Sequence, residues 1–283
     1  MRIKLMAGAA AVALFATVGG AVAQVPGWYG AVDLGYHRAE GIDAESSINA
    51  PDGRPFQWTF DQEDDWAGFA RLGYQFHPNW RVELEGGYRG GDLEAVRGSN
   101  TRSQPYALCR PGVGPVTSSS VCGAPDGDIE SYTLMANVIY DFFEPGAAFR
   151  PFVGVGVGFN NIRVSAFGQY SGIPAGSPPQ FQNLNIDDEE VNFAYQALAG
   201  VSWQATERLN VDATYRYLGG AETDFCGLNP AGPIQVGCFS GEYRDQSLTI
   251  GLRYAFGAVD APPPPPPPPC QPAPPFPPRA PCT

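Results

Sequence analysis

Beyond its first two dozen residues this chain lacks any apolar run approaching the roughly 18 residues that a membrane-spanning helix needs. That excludes a helical inner-membrane protein. Positive charge is scarce as well. Of 17 Lys and Arg, Arg2 and Lys4 lie in the leader, leaving 15 basic against 29 acidic residues and a formal charge of −14. So acidic a chain is a poor partner for nucleic acid. Histidine is limited to His37 and His77.

The leader itself is informative. Arg2 and Lys4, an apolar stretch over 5–18 and Ala21-Val22-Ala23 before Gln24 make a secretory signal peptide over 1–23 with an Ala-x-Ala cleavage site. Six cysteines in an exported chain point to disulfides, and their spacing groups them as Cys109/Cys122, Cys226/Cys238 and Cys270/Cys282. Other connectivities are open, and nearest-neighbour pairing assumes that each loop closes on itself.

Eight stretches alternate apolar and polar residues with period two: 28–37, 66–76, 80–89, 131–142, 151–160, 192–203, 209–217 and 247–256. The third is the clearest. Trp80, Val82, Leu84, Gly86 and Tyr88 share one parity, and Arg81, Glu83, Glu85 and Gly87 share the other. The apolar parity carries no charge in any of the eight windows and ends in aromatics, including Trp28, Tyr74, Phe142, Trp203 and Phe256. A charge-free face beside a charged one, at a length that crosses hydrocarbon when tilted, predicts strands whose outside is lipid. Connections alternate strictly between short (77–79, 143–150, 204–208) and long (38–65, 90–130, 161–191, 218–246). The fold class predicted is therefore all-β: an eight-stranded antiparallel up-and-down transmembrane β-barrel over 24–257, with short turns and both termini periplasmic and long loops outside the cell. Pro262–Pro269 are eight consecutive prolines, so 258–283 is read as a disordered proline-rich periplasmic tail or linker, extended as polyproline II.

The stretches WYGAVDLGYHR (28–38), LMANVIYDFF (134–143), PFVGVGVGFN (151–160), ALAGVSWQATERLNVDATYRYL (197–218) and SLTIGLRYAF (247–256) resemble the transmembrane domain of the outer-membrane protein A family. The resemblance covers about 24–257. It implies a Gram-negative outer-membrane location, contact with outer-membrane lipids and lipopolysaccharide, and insertion by the barrel-assembly machinery, for which Tyr254 and Phe256 would form the terminal signal. In that family a proline-rich linker leads to a peptidoglycan-binding domain. Here the chain stops at Thr283, so peptidoglycan contact is expected only of a longer form.

Eight strands enclose a lumen that side chains can just fill. Its polar parity holds a charge network, and a candidate gate, of Asp33, Arg71, Arg81, Glu83, Glu85, Arg89, Asp212, Arg216 and Arg253, with His37, Gln75, Asn137, Gln196 and Thr214 among them and Gly154, Gly156 and Gly158 on the fifth strand. Interleaved charges of both signs predict an ion-paired plug. Depth counting brings Asp212 to Arg253, and Arg71 between Asp33 and Glu83 or Glu85. Loss of Arg71 is expected to raise any conductance.

Enzymatic barrels need a nucleophile with a base beside it. No serine motif adjoins either histidine, so His37 reads as a rim or interior group, His77 as a turn residue, and Ser131 and Ser247 as lumen hydrogen-bonders. No enzyme and no cofactor is expected. The glycines of 154–159 lie inside a strand and open no helix, which excludes a dinucleotide site. Acidic runs at Asp61, Glu63, Asp64 and Asp65 and at Asp187, Asp188, Glu189 and Glu190 read as solvated charge, with Asp64, Asp65, Asp187 and Asp188 as weak candidates for a divalent cation. The leading function is a structural, envelope-integrity barrel with a largely plugged lumen. The alternatives are a low-conductance or gated pore and an adhesin-like surface protein acting through its outer loops.

Overall fold

The computed structural model describes residues 27–49, 53–98, 107–112, 123–144, 147–171, 182–229 and 234–256. The expected signal peptide and the expected proline-rich tail, with Cys122, Cys270 and Cys282, lie outside them. The described chain forms β1 (Gly27–Glu40), β2 (Ile42–Asn49), β3 (Pro55–Gln62), β4 (Asp65–His77), β5 (Trp80–Gly98), β6 (Ala107–Cys109), β7 (Asp126–Asp141), β8 (Phe149–Tyr170), β9 (Asn183–Gln204), β10 (Leu209–Gly220), β11 (Glu222–Leu228), β12 (Gly237–Glu242) and β13 (Arg244–Ala255).

Every pairing is antiparallel. β1 pairs with β4, β4 with β5, β5 with β7, β7 with β8, β8 with β9, β9 with β10, β10 with β13, and β13 returns to β1. The circuit closes around a lumen. Thirteen strands thus appear where the sequence pattern predicts eight, because segments expected to be long loops are themselves strands. β2 and β3 fill 38–65, β11 and β12 fill 218–246, β6 lies within 90–130, and β8 and β9 extend as a long hairpin into 161–191. β3 pairs with β5, β2 with β3, β12 with β2, β11 with β9, and β6 with both β5 and β8, so these segments continue the wall as a collar above the circuit.

The reason the pattern hid them is an inversion. Along β8, Val153, Val155, Val157 and Phe159 face outward and are exposed, while glycines face the lumen. Past Asn160 the period of two continues but the apolar residues move inside. Ile162, Val164 and Ala166 are buried, and Arg163 is exposed. β9 does the same, with Phe193, Tyr195, Val201 and Trp203 outside but Leu184 and Ile186 inside. The lower half exposes an apolar belt between two rings of aromatics. One ring includes Trp28 beside Tyr74 at 5.2 Å and Trp80 beside Tyr140 at 4.9 Å, and the other includes Trp66, Tyr88 and Tyr132, in which Tyr88 lies 5.1 Å from each of its neighbours. A belt so large is unfavourable in water and is normal against lipid. The collar has an ordinary water-facing wall and an apolar interior.

That interior is tightly filled. Trp58 and Phe60 of β3, Phe225 of β11, Phe239 of β12, Tyr170 of β8 and Leu93 and Val96 of β5 form one buried cluster. Trp58 stacks on Phe239 at 5.1 Å, and Phe60 meets Phe225 edge-on at 5.0 Å.

Cys226 is bonded to Cys238 within the β11–β12 hairpin, 12 residues apart, and Cys109 is also in a disulfide. A loop of that size restricts the unfolded chain by about 3 kcal/mol. Reduction is expected to lower collar stability while leaving the heat-modifiable gel mobility of the circuit unchanged.

Candidate functional site

The lumen below the collar holds six arginines, Arg71, Arg81, Arg89, Arg150, Arg216 and Arg253, and six carboxylates, Asp33, Glu83, Glu85, Asp141, Asp212 and Asp245, all buried. Strand alternation places them there: each sits on the parity opposite to the lipid-type belt. At the centre, Arg71 donates from Nε and Nη2 to both oxygens of Asp33 at 2.7 and 2.8 Å, from Nη1 to Glu83 at 3.1 Å and from Nη2 to Asp212 at 3.1 Å. The register explains the reach. Arg71 lies opposite Ala31 and Glu85, so that Asp33 is two residues along on one neighbour and Glu83 two residues along on the other, both on the same face. Glycine makes room, because a Cβ at Gly251, which lies opposite both Asp33 and Asp212, would collide with the Asp33 carboxylate.

Three further arginines tie this centre to the walls. Arg253 donates to Asp212 at 3.0 Å and to Ser202 at 2.7 Å. The pair meets diagonally, since Arg253 lies opposite Asn210 and Asp212 lies opposite Gly251. Arg216 joins Glu85 at 3.1 Å, Asp33 at 3.1 Å and Thr249 at 2.6 Å. Arg81 joins Glu83 at 2.9 Å and Asp141 at 3.2 Å, and Tyr29 donates to the same Glu83 oxygen at 2.7 Å. Gln196 bridges Glu85 and Asn137 at 3.0 and 2.6 Å. Nearest the collar, Arg89 and His37 share Asp245 at 3.0 and 2.7 Å, and Ser247 donates to it at 2.8 Å.

Aromatic rings separate the cations. Phe69 lies 4.7 Å from the Arg89 guanidinium and 4.1 Å from that of Arg216, and Phe152 lies 4.8 Å from that of Arg81. Desolvated contacts of this kind are favourable by up to about 2 kcal/mol each.

Eight of the nine residues expected in the lumen network are joined by ion pairs, and the ninth, Arg89, pairs separately with Asp245 and meets the others across the Phe69 ring. Sequence reasoning missed Tyr29, Asp141, Asp245, Ser202 and Thr249. Asp141 and Tyr29 do lie on the inward parity of their strands, so that signal was present. Asp245 fell outside because β13 begins at Arg244, three residues before the predicted start. Ser131 donates to Asn160 at 2.7 Å. His77, expected in the turn, is instead the exposed last residue of β4, accepting from the Asn79 amide of the adjoining turn at 3.3 Å.

The acidic runs do not converge on a metal. Among the described residues no group of three or more His, Cys, Asp or Glu is placed to hold one. Asp64 is taken by Arg38 at 2.6 Å, and Asp65 accepts from the Trp66 amide. Asp187 and Asp188 fall on opposite faces of β9, and Asp188 accepts from the Cys226 amide at 3.1 Å. A strand separates consecutive carboxylates that a loop could have gathered.

On the collar, carboxylates crowd one another. Asp128 lies directly opposite Asp92, and its pKa is raised by partial burial and then by Glu130 and Asp92. A raised folded-state pKa means the charged form is disfavoured in the fold, so this cost is present at neutral pH and relieved as pH falls through the upper carboxylate range. Asp128→Asn is expected to slow amide exchange around Ile129 and Gly91 at pH 7, and the gain should vanish at acidic pH.

The outer membrane protein beta-barrel domain family matches residues 7–256. Over 126 residues the chain is 27% identical to the outer membrane protein PagN of Salmonella typhimurium, covering 44% of this chain and 49% of PagN, so it spans about half that relative's length. An uncharacterised protein of Brucella suis biovar 1 is 26% identical over 252 residues, 81% of this chain and 85% of that protein. The outer membrane protein OprG of Pseudomonas aeruginosa superposes with a TM-score of 0.52 at 13% identity, covering 81% of this chain and 97% of OprG, which speaks for the fold alone. The chain, with its closed antiparallel circuit, exposed apolar belt and charged lumen, belongs to the outer membrane protein beta-barrel domain family.

Proposed function

We propose that the closed circuit is an eight-stranded transmembrane barrel of the outer-membrane protein A type, with its short turns and both ends in the periplasm and its collar outside the cell, and that it acts as a structural element of the envelope with a plugged lumen. One observation carries this reading: the central cation Arg71 is bound by three carboxylates in a lumen whose buried arginines and carboxylates are equal in number. Pairing offsets the several kcal/mol that each isolated ion would cost, so the network favours a filled tube over an aqueous one. The apolar collar interior lies above it as a second closure. In this role the partners are outer-membrane lipids, lipopolysaccharide and the barrel-insertion machinery, which would read the terminal Tyr254 and Phe256. Deleting the gene is expected to give vesiculation and detergent sensitivity that the full chain restores. An intact envelope in the deletion strain would refute the structural role.

The collar supports a second reading, as a surface that contacts other cells. Its wall is built of paired strands and carries Glu40, Asp43, Glu45, Asp187, Glu189, Glu222 and Asp224 outward. Whole-cell binding to host surfaces should then fall when 42–62 is removed. Unchanged binding would dismiss it.

A further inference from the structure

The collar wall is not uniformly sealed. β9 pairs with β10 from Gln204 up to Ala194, and with β11 only at Ile186 and Asn185. Between those limits, over 187–193, a backbone bond crosses from the Ala221 amide to the Phe193 carbonyl at 3.0 Å. Side chains do the rest. Asp188 accepts from the Cys226 amide at 3.1 Å, Glu190 accepts from the Asp224 amide at 2.6 Å, and Asn192 donates to Thr223 at 3.1 Å. These carboxylates are partly exposed, so water competes for the same amides. Such a line opens before a backbone ladder does.

What borders the line is a single braced unit. β11 and β12 pair from Glu222–Glu242 to Gly227–Gly237, and the Cys226–Cys238 bond locks them together. The hairpin's far edge meets β2 through three ladder positions, Phe239, Ser240 and Gly241, and through bonds from the Cys238 amide to Ser47 Oγ at 3.0 Å and from the Ile48 amide to the Val236 carbonyl at 3.4 Å, while at its tip Asn229 donates to Gln182 at 2.9 Å. Its entry from β10 is Gly219-Gly220-Ala221, a sequence that absorbs backbone rotation readily. Its inner face carries Phe225 and Phe239, which close over Trp58 and Phe60.

We propose that the β11–β12 hairpin is a lid: it swings as a unit away from β9 along the line held by Asp188 and Glu190, and unroofs the apolar chamber occupied by Trp58. Access to the interior from outside the cell is then set at the collar and not at the ion pairs below.

The test uses the full-length barrel in bilayers with Trp28, Trp66, Trp80 and Trp203 replaced by Phe, leaving Trp58 as the reporter. D188A/E190A should speed exchange of the Asp224 and Cys226 amides by about tenfold or more and raise iodide quenching of Trp58 severalfold. D188N/E190Q, which keeps an acceptor oxygen at each position, should restore both toward the parent. Unchanged exchange in D188A/E190A overturns the proposal, and so does faster exchange with Trp58 still shielded, which would be fraying without opening. Should D188A/E190A not reach the folded, heat-modifiable form, the parent decides: the lid requires the Asp224 and Cys226 amides to exchange faster than those of Tyr215 and Arg216 in the β10 ladder, and equal rates refute it.

Discussion

Arg71→Ala is expected to lower the stability of the folded barrel by about 3 kcal/mol, read as a lower urea midpoint in lipid vesicles. The figure sits at the low end for breaking a buried pair because each abandoned carboxylate keeps a second cation. Asp33 retains Arg216, Glu83 retains Arg81 and Asp212 retains Arg253. A loss below about 1 kcal/mol would mean that the lumen is wet enough to screen the pairs. In a lumen sealed only by ions the same substitution would raise conductance, as the sequence alone suggests. The apolar collar interior removes that expectation: current should stay unchanged while stability falls, since the chamber around Trp58 remains closed.

The second large effect maps the membrane. Val155 and Phe167 lie on the same strand and the same outward parity, exposed by 66% and 38%. Val155→Arg places a cation in the apolar belt and should cost about 2–4 kcal/mol. Phe167→Arg lies in the collar, beyond the aromatic ring and beside water, and should cost under about 1 kcal/mol. Equal costs at the two positions would show that the belt does not end where the strand pattern inverts.

That inversion also explains how much of the molecule was legible. Trp80 to Tyr88 reads plainly because its outward face is uniformly apolar and its inward face charged, and the same contrast assigns Asp33, Arg71, Asp212 and Arg253 to the lumen face from sequence alone. The contrast disappears at the collar. Arg163 and Glu189 occupy the outward parity that lipid would forbid, so a search for a charge-free face stops at Asn160 and Asn192, although both strands run on to Tyr170 and back from Asn183. Ile42, Trp58 and Phe60 alternate correctly for strands, but they face inward, which resembles an ordinary soluble sheet and not a barrel wall. Asp245 was lost to the same effect, sitting where the predicted strand had not begun. The pairing of Asp188 and Glu190 with β11 amides was beyond reach, because it depends on a gap in a ladder that no local pattern records.

The plugged lumen is tested most directly by single-channel recording of the purified full-length chain in planar bilayers. Five buried arginines paired with carboxylates, below a collar filled by Trp58, Phe60, Phe225 and Phe239, predict no steady open level in symmetric salt. A long-lived ohmic conductance that rises in proportion to bulk electrolyte conductivity would contradict the account.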